Sequence, residues 1–308
     1  MTVAGDSLRL VGGGAGMRRA MAWAIVFAVL WAGLEGLLVE RLHKPYSFLQ
    51  IEWCRFAVHL GLVVLIWGRR APGRLLRTTR PASQIGRSLL MLAMPSALLM
   101  AILHGASHGF VWSVFWIAPA LVIGLAWLFL KERPPLSVSA ASIVGAVAAA
   151  VIFGEVRPLS HATLALALAA ALSFSLYVVM TRTLRAERPE VNLAYVALPV
   201  FIVLTPVMPV VWMRPDAHDA VVLTLVGALG LGALYALERA CRAAPAWTSA
   251  SAFFTQALCV ASLIMIASEG PPSVRAATGM AVILILLGAL WLGAARITPP
   301  DGVAPGRV

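Results

Sequence analysis

Apolar residues in this chain are grouped in long runs, and polar residues lie mainly in the short segments between them. A run of about 20 apolar residues matches the length of a helix that crosses a bilayer. The pattern predicts ten membrane-spanning helices, at residues 20–39, 47–67, 88–106, 110–130, 136–154, 161–180, 192–213, 219–237, 245–268 and 275–294.

Composition agrees with an all-α integral membrane protein. Of the 308 residues, 61% are hydrophobic and 12% are charged, and the mean hydropathy is +0.90. Soluble domains carry about a quarter charged residues. The three cysteines lie in or beside apolar runs without metal-site spacing, and no phosphate-binding loop motif occurs, so we expect no metal, no cofactor and no ATP hydrolysis.

The basic residues predict the orientation, because Lys and Arg accumulate on the cytoplasmic side of a membrane. With a cytoplasmic N-terminus, 18 of the 24 basic residues fall in cytoplasmic segments, 5 in outer ones and one inside a span. This predicts both termini in the cytoplasm, a position in the cytoplasmic (inner) membrane, and no nucleic-acid partner despite the net charge of +11. The cytoplasmic set is Arg9, Arg18, Arg19, Arg69, Arg70, Arg74, Arg77, Arg80, Arg87, Lys131, Arg133, Arg182, Arg185, Arg188, Arg239, Arg242, Arg296 and Arg307.

Two short matches indicate an internal repeat. LKERPP (130–135) is echoed by ASEGPP (267–272), and WAGLEGLLVERL (31–42) aligns with SFSLYVVMTRTL (173–184), which places Glu35 opposite Tyr177. Because five is odd, the second half would enter the membrane from the other side. Inverted five-helix repeats around a central cavity are typical of secondary transporters. The predicted division is a cytoplasmic segment 1–19, repeats 20–154 and 161–294, and a cytoplasmic tail 295–308.

The segment FVWSVFWIAPALVIGLAWLFLKERPPLSVSAASIVGAVAAAVIFG (110–154) resembles helices four and five of EamA-type members of the drug/metabolite transporter superfamily. The shared features are a proline inside helix four, a Leu-x-Glu-Arg-like helix end and a fifth helix rich in small residues. Arg55 resembles an arginine common in helix two of that family, and RTTRPASQIGRSLLML (77–92) resembles its second-to-third connection. Helix nine of that family often contains a proline, but this chain has Gln256 at the position aligned with Pro119. Either helix nine is straighter here than in the family, or the Gln256 amide contributes to the substrate pathway.

The resemblance implies a secondary transporter that moves a small polar metabolite, amino acid-like or related, across the cytoplasmic membrane. Export is the direction it favours, and import of a vitamin- or cofactor-like metabolite is the alternative. The protein would work as a monomer or homodimer and would not be an enzyme. A remote alternative is a membrane serine hydrolase, because GASHG (105–109) fits G-x-S-x-G around Ser107, but the strand–turn–helix context of that motif is missing.

Three polar residues of helix two form a stripe. At about 100° per residue, Glu52, Arg55 and His59 lie within an arc of about 60°. A charged side chain at the centre of a span costs about 2.5–3.5 kcal/mol, so such residues line a cavity or pair with one another. The i,i+3 spacing of Glu52 and Arg55 leaves both roles open. His59 is either a hydrogen-bonded interior residue or a proton relay.

Other candidates for substrate contact come from both halves. Glu35 and Glu52 both lie about 6–8 Å below the predicted outer surface. Two nearby carboxylates raise each other's pKa, so protons are a candidate coupling ion. Trp116 is a candidate wall for stacking on substrate. The second half offers Tyr177, Tyr235 and Gln256.

The topology is open to a direct test. We expect a reporter fused after Arg80 to lie in the cytoplasm, and one fused after Arg157 to lie outside, because the first follows two spans and the second follows five. Paired phosphatase and fluorescent-protein fusions at the two positions would measure this. The reverse result at either position contradicts the predicted orientation.

Overall fold

The computed structural model of the protein describes residues 14–40, 44–154, 160–267 and 273–296. Within these ranges the regular structure is helical, and ten helices are long and apolar enough to cross a membrane, as the hydrophobic pattern predicts. They are labelled α1 (Gly14–Leu38), α2 (Phe48–Gly68), α3 (Pro81–Leu103), α4 (His108–Leu130), α5 (Leu136–Phe153), α6 (His161–Thr183), α7 (Pro189–Val211), α8 (Ala217–Ala243), α9 (Ala246–Ile266) and α10 (Val274–Ala294).

Several helices extend beyond the apolar windows that predict them. Helix α3 begins at Pro81 and α6 ends at Thr183, so Arg87 and Arg182 lie inside helices, where both are buried. The apolar windows, which begin at residue 88 and end at residue 180, therefore place these two arginines outside helices that in fact contain them. The hydropathy pattern ends at a charge, whereas the folded chain can continue a helix past a charge when another helix supplies a partner.

Helices α4 and α9 are interrupted at their middle. Helix α4 consists of His108–Phe115 and Ala118–Leu130, because Pro119 has no N–H to donate to the carbonyl of Phe115. Helix α9 passes through a 3₁₀ turn at Ser251–Phe253. Helix α9 is therefore interrupted although it has no proline at the position aligned with Pro119. The second copy of the E-x-P-P element lies outside the described residues.

The bundle is built around two extensive helix pairs, α1 with α8 and α3 with α6. Helix α2 packs against α7 and α8, α9 lies along α1, and α5 lies along α10. Glycines permit the closest approaches: a Cβ built on Gly227 of α8 would lie 2.5 Å from the Cβ of Val58 on α2. A Cβ on Gly145 of α5 would lie 2.3 Å from the ring of Phe254 on α9. These glycines therefore act in helix packing, as their small-residue context predicts.

Gly145→Ala should lower the stability of the bundle. The added methyl group would overlap the Phe254 ring, and overpacking of this kind costs about 1–3 kcal/mol. Gly288→Ala is the matched control, because a Cβ at Gly288 meets nothing within 4 Å and alanine favours a helix. Thermal unfolding in detergent should show a lower midpoint for Gly145→Ala and an equal or higher one for the control. Equal midpoints for the two variants would contradict the packing role.

Candidate functional site

The polar stripe of α2 faces the protein interior. Glu52, Arg55 and His59 are 3%, 2% and 1% exposed. The Nη1 atom of Arg55 lies 3.3 and 3.2 Å from the two carboxylate oxygens of Glu52. The i,i+3 spacing therefore does form an ion pair, and the pair neutralises two charges that would be costly to bury separately. A central cavity lined by these residues stays a prediction.

Aromatic rings and a glycine hold the Arg55 guanidinium in place. Its central carbon lies 4.7 Å from the ring centroid of Trp31 on α1 and 5.1 Å from that of Phe56, distances at which cation–π attraction operates. A Cβ on Gly230 of α8 would lie 3.1 Å from Nε of Arg55, so the glycine leaves room for this side chain. The Nη2 atom is buried and has no hydrogen-bond partner among the described residues.

Glu35 joins the same cluster from α1. Its carboxylate accepts a hydrogen bond of 2.9 Å from Nε1 of Trp31 and bonds of 3.2 and 3.3 Å from Nε2 of Gln256 on α9. Trp31 thus contacts Arg55 with its ring face and Glu35 with its N–H. We call Trp31, Glu35, Glu52, Arg55 and Gln256 the central cluster. Glu35 is its half-buried member.

His59 lies on the same face and bonds to a different helix. Its Nε2 atom is 3.2 Å from the carbonyl oxygen of Leu193 on α7. A carbonyl only accepts, so Nε2 carries the hydrogen in this contact. The side chain is buried, which agrees with the interpretation of His59 as a hydrogen-bonded interior residue.

The remaining sequence candidates contact residues outside the central cluster. Trp116 ends the first segment of α4 and packs with its ring centroid 6.1 Å from that of Phe254; its Nε1 is buried without a hydrogen-bond partner in the described chain. Tyr177 lies 5.5 Å from the guanidinium of Arg87. Tyr235 makes an edge contact with Trp23 at 6.1 Å.

A second polar network lies near the start of α3 and was missed in the sequence. The guanidinium of Arg87 donates to Gln84 Oε1 at 2.9 Å and to the Asn192 carbonyl at 2.6 Å, and lies 3.6 Å from Glu238. Asn192 Nδ2 in turn donates to Glu238 at 2.6 Å. These contacts tie α3 to α7 and α8. The signal available in the sequence was Glu238, an acid directly after the predicted end of span eight, which needs a partner once the helix continues past it.

A further ion pair lies at the same end of the bundle, which we call the basic end (connections 69–80, 131–135 and 184–188). Arg182 Nε donates to Glu132 Oε1 at 3.0 Å. The other carboxylate oxygen of Glu132 accepts a bond of 2.7 Å from the backbone N–H of Ala246, the first residue of α9. The glutamate of the first E-x-P-P element therefore caps α9 and joins it to α4 and α6.

Contacts at the opposite end, which we call the distal end, join residues 44–46 to the start of α8. The Tyr46 hydroxyl donates to Asp219 at 2.6 Å, and Lys44 lies 3.3 Å from Asp216 with both side chains nearly half exposed. Burial raises the pKa of the Tyr46 phenol to about 12, and the hydrogen bond to Asp219 acts in the same direction. Tyr46 therefore keeps its proton and remains a donor at any physiological pH.

Helix α9 contains a polar stretch, although the mean hydropathy of its span is that of an apolar helix. Residues 247–256 read WTSASAFFTQ, and the buried hydroxyls of Thr248, Ser249 and Thr255 have no hydrogen-bond partner among the described residues. A buried hydroxyl without a partner costs about 1–3 kcal/mol. The stretch ends at Gln256 of the central cluster, so α9 presents unused polar groups next to its 3₁₀ turn.

The Ser107 motif has a structural explanation. The Ser107 hydroxyl accepts a hydrogen bond of 3.1 Å from the backbone N–H of Phe110 and so caps α4. The ring nitrogen Nδ1 of His104 lies 2.8 Å from the carbonyl of Met100. Both contacts are those of an ordinary turn between helices, and they offer no arrangement in which a histidine activates the serine.

Comparison with known proteins shows the fold alone. No family model matches the chain, and no curated protein matches it. Among solved structures, 28 chains match. One, described only as the crystal structure of a protein, superposes with a TM-score of 0.75 at 17% sequence identity and covers 90% of this chain and 98% of its own. The ten-helix arrangement is therefore one that a solved protein also adopts over nearly its whole length.

Arg87→Met should destabilise the protein strongly. The change leaves Glu238 buried with less compensation, and breaking a buried pair costs about 3–5 kcal/mol. Lys44→Met is the matched control, because its pair with Asp216 is largely exposed and such pairs contribute about 0–1 kcal/mol. Thermal unfolding in detergent should separate the two variants clearly. A larger loss for Lys44→Met would contradict the importance assigned to the network at the basic end.

Proposed function

We propose that this protein is a secondary transporter of a small zwitterionic metabolite, built like EamA-type members of the drug/metabolite transporter superfamily. In this proposal residues 20–154 and 161–294 are inverted repeats, and the central cluster binds the substrate between them. Both termini lie in the cytoplasm, with the basic end of the bundle on that side.

The packing of the helices supports the repeat. Adding five to the number of each helix in the first half, and subtracting five in the second, converts the pair α1–α8 into α6–α3 and the pair α2–α8 into α7–α3. It also converts α1–α9 into α6–α4, and leaves α2–α7 and α5–α10 unchanged. An exchange that reproduces these contacts is expected of two similar halves related by a twofold axis, and an odd number of spans in each half inverts them.

The observation that carries the proposal is a set of buried donors and hydroxyls without partners. They are Nη2 of Arg55, Nε of Arg87, Nε1 of Trp116 and the hydroxyls of Thr248, Ser249 and Thr255. Native interiors satisfy nearly all such groups, and the exceptions call for a ligand, water or strain. Five of the six lie on α2, α4 and α9, around the two interrupted helices, and these positions suit a substrate route through the bundle.

The charges of the central cluster favour a zwitterion. Glu52 already pairs with Nη1 of Arg55, which leaves Nη2 as the donor for a substrate carboxylate. Glu35 is held by neutral donors, Trp31 and Gln256, and can accept a substrate ammonium group. A substrate with both groups would give Nη2 of Arg55 and the Glu35 carboxylate each an oppositely charged partner, whereas an anion alone would meet two carboxylates.

Contacts between the halves at both ends support alternating access. At the basic end, Arg87 of the first half meets Glu238 of the second, and at the distal end Tyr46 meets Asp219. Opening either side requires one of these sets to separate while the other holds.

The proposal also covers the direction of transport and its coupling. Export follows from the family resemblance, and import of a vitamin- or cofactor-like metabolite is the alternative. Glu35 is the candidate carrier of a coupled proton, because it is the half-buried acid of the cluster and its hydrogen-bond partners are neutral. A hydrolase acting through Ser107 is not proposed, since that hydroxyl caps α4.

Counterflow in proteoliposomes tests the function. Vesicles loaded with one unlabelled compound, drawn from amino acids, nucleosides, cofactors and organic acids, should accumulate the labelled form transiently when the compound is a substrate. We expect zwitterions to exchange and simple mono- and dicarboxylates to exchange poorly. Absence of counterflow for the whole panel, with protein that is folded and inserted, would contradict the proposal.

Arg55→Ala should abolish this exchange. The variant removes the donor for the substrate carboxylate, while Arg55→Lys keeps the charge without the planar fork and should retain partial activity. Arg70→Ala is the matched control, since Arg70 is an exposed arginine beyond α2. Counterflow is measured alongside the thermal midpoint. Normal exchange by Arg55→Ala would contradict the binding role. The same holds if Arg55→Ala fails to fold while Arg55→Lys folds and exchanges normally.

A further inference from the structure

A surface depression near the basic end combines an apolar wall with an unused cation. It has a volume of about 460 Å³ and is lined by Ile123, Gly124 and Trp127 of α4, by Arg133 and Pro134 of the connection, and by Ser139 of α5. None of these residues belongs to the central cluster. We call this depression the α4–α5 groove.

The groove has the two parts that an amphipathic anion needs. Arg133 is exposed and makes no hydrogen bond or ion pair with any described residue, although its neighbour Glu132 is bound to Arg182. On the other side Trp127 is 59% exposed, in the position of an interfacial tryptophan. The Arg133 guanidinium suits a charged lipid head group, and the exposed Trp127 ring suits an acyl chain.

The start of α5 adds a second attraction for an anion. This helix has 18 residues, and its capping position is Pro135, which supplies no side-chain hydrogen bond to the first turn. The free N–H groups and the positive end of the helix dipole therefore point toward the connection that carries Arg133. Lys131, also exposed, lies two residues before Arg133 and raises the local positive charge.

We propose that the α4–α5 groove binds one acidic phospholipid of the leaflet at the basic end, with its phosphate group at Arg133 and the start of α5 and an acyl chain along Gly124 and Trp127. A zwitterionic lipid offers the same chain, but its choline or ethanolamine group would meet the positive charge of Arg133 and Lys131. Basic pockets at this level of a membrane protein recognise acidic head groups in this way. The site is independent of the transport proposal.

Two variants separate the charge from the groove. Arg133→Gln removes the cation, and Arg69→Gln is its matched control, an exposed arginine of another connection. Gly124→Leu fills the groove without touching the charge, and it should fold because a Cβ at Gly124 meets nothing within 4 Å. Gly288→Leu is its matched control, since Gly288 has equally open surroundings.

Native mass spectrometry of the detergent-solubilised full chain, titrated with phosphatidylglycerol or phosphatidylcholine, measures retention of lipid. We expect one phosphatidylglycerol to be retained at concentrations where phosphatidylcholine is not. Arg133→Gln should weaken retention about five-fold, the effect of one basic side chain at an acidic lipid, and Gly124→Leu should weaken it at least as much. Both controls should behave as the unmodified protein.

Several results would overturn the proposal. Equal retention of the two lipids would show that the head group is not recognised. Displacement of phosphatidylglycerol by millimolar inorganic phosphate would indicate a simple anion site. An effect of Arg133→Gln without any effect of Gly124→Leu would reduce the site to surface charge. Loss of a dimer, rather than of lipid, in Gly124→Leu would assign the groove to a second copy of the chain.

Discussion

Charge inside a membrane bundle must be paired or hydrogen-bonded, and this requirement decides how the helices of this protein are held together. Each buried ion in the structure is met by a group from its own or another helix. Arg55 meets Glu52 within α2, Arg87 meets Glu238 between α3 and α8, and Arg182 meets Glu132 between α6 and α4. Lipid offers little hydrophobic force between helices, so these contacts and close packing at small residues supply the specificity.

The two polar groups differ in how their acids are used. At the basic end Glu238 is shared by Arg87, Asn192 and Arg242, which come from three helices. In the central cluster Glu52 meets Arg55 within its own helix, and Glu35 accepts bonds from the neutral donors Trp31 and Gln256. Each arginine keeps one buried nitrogen without a partner among the described residues, Nη2 of Arg55 and Nε of Arg87. The network at the basic end therefore ties helices together through one acid, whereas the acids of the central cluster are not shared in this way.

Local sequence predicts the interruption of one helix but not of the other. Pro119 predicts the break in α4 from the loss of one backbone donor. No such residue marks the 3₁₀ turn of α9 at Ser251–Phe253, so the break there depends on neighbours. Ser142 of α5 bonds to the Ser251 hydroxyl at 2.9 Å. An added amide at Gln256 was one of the two alternatives that the sequence left open, and its partner Glu35 lies 221 positions away, beyond any periodicity argument.

The sequence by itself determined the all-helical class, the number of spans and the buried face of α2, because these follow from hydrophobic length and period within single helices. The i,i+3 spacing of Glu52 and Arg55 left pairing and cavity lining both open, and the structure shows the pair. Only the tertiary structure decided that Arg87 and Arg182 lie inside helices. Whether a charge ends a span or lies within it depends on a partner from a distant helix, and hydropathy along one segment carries no information about that partner.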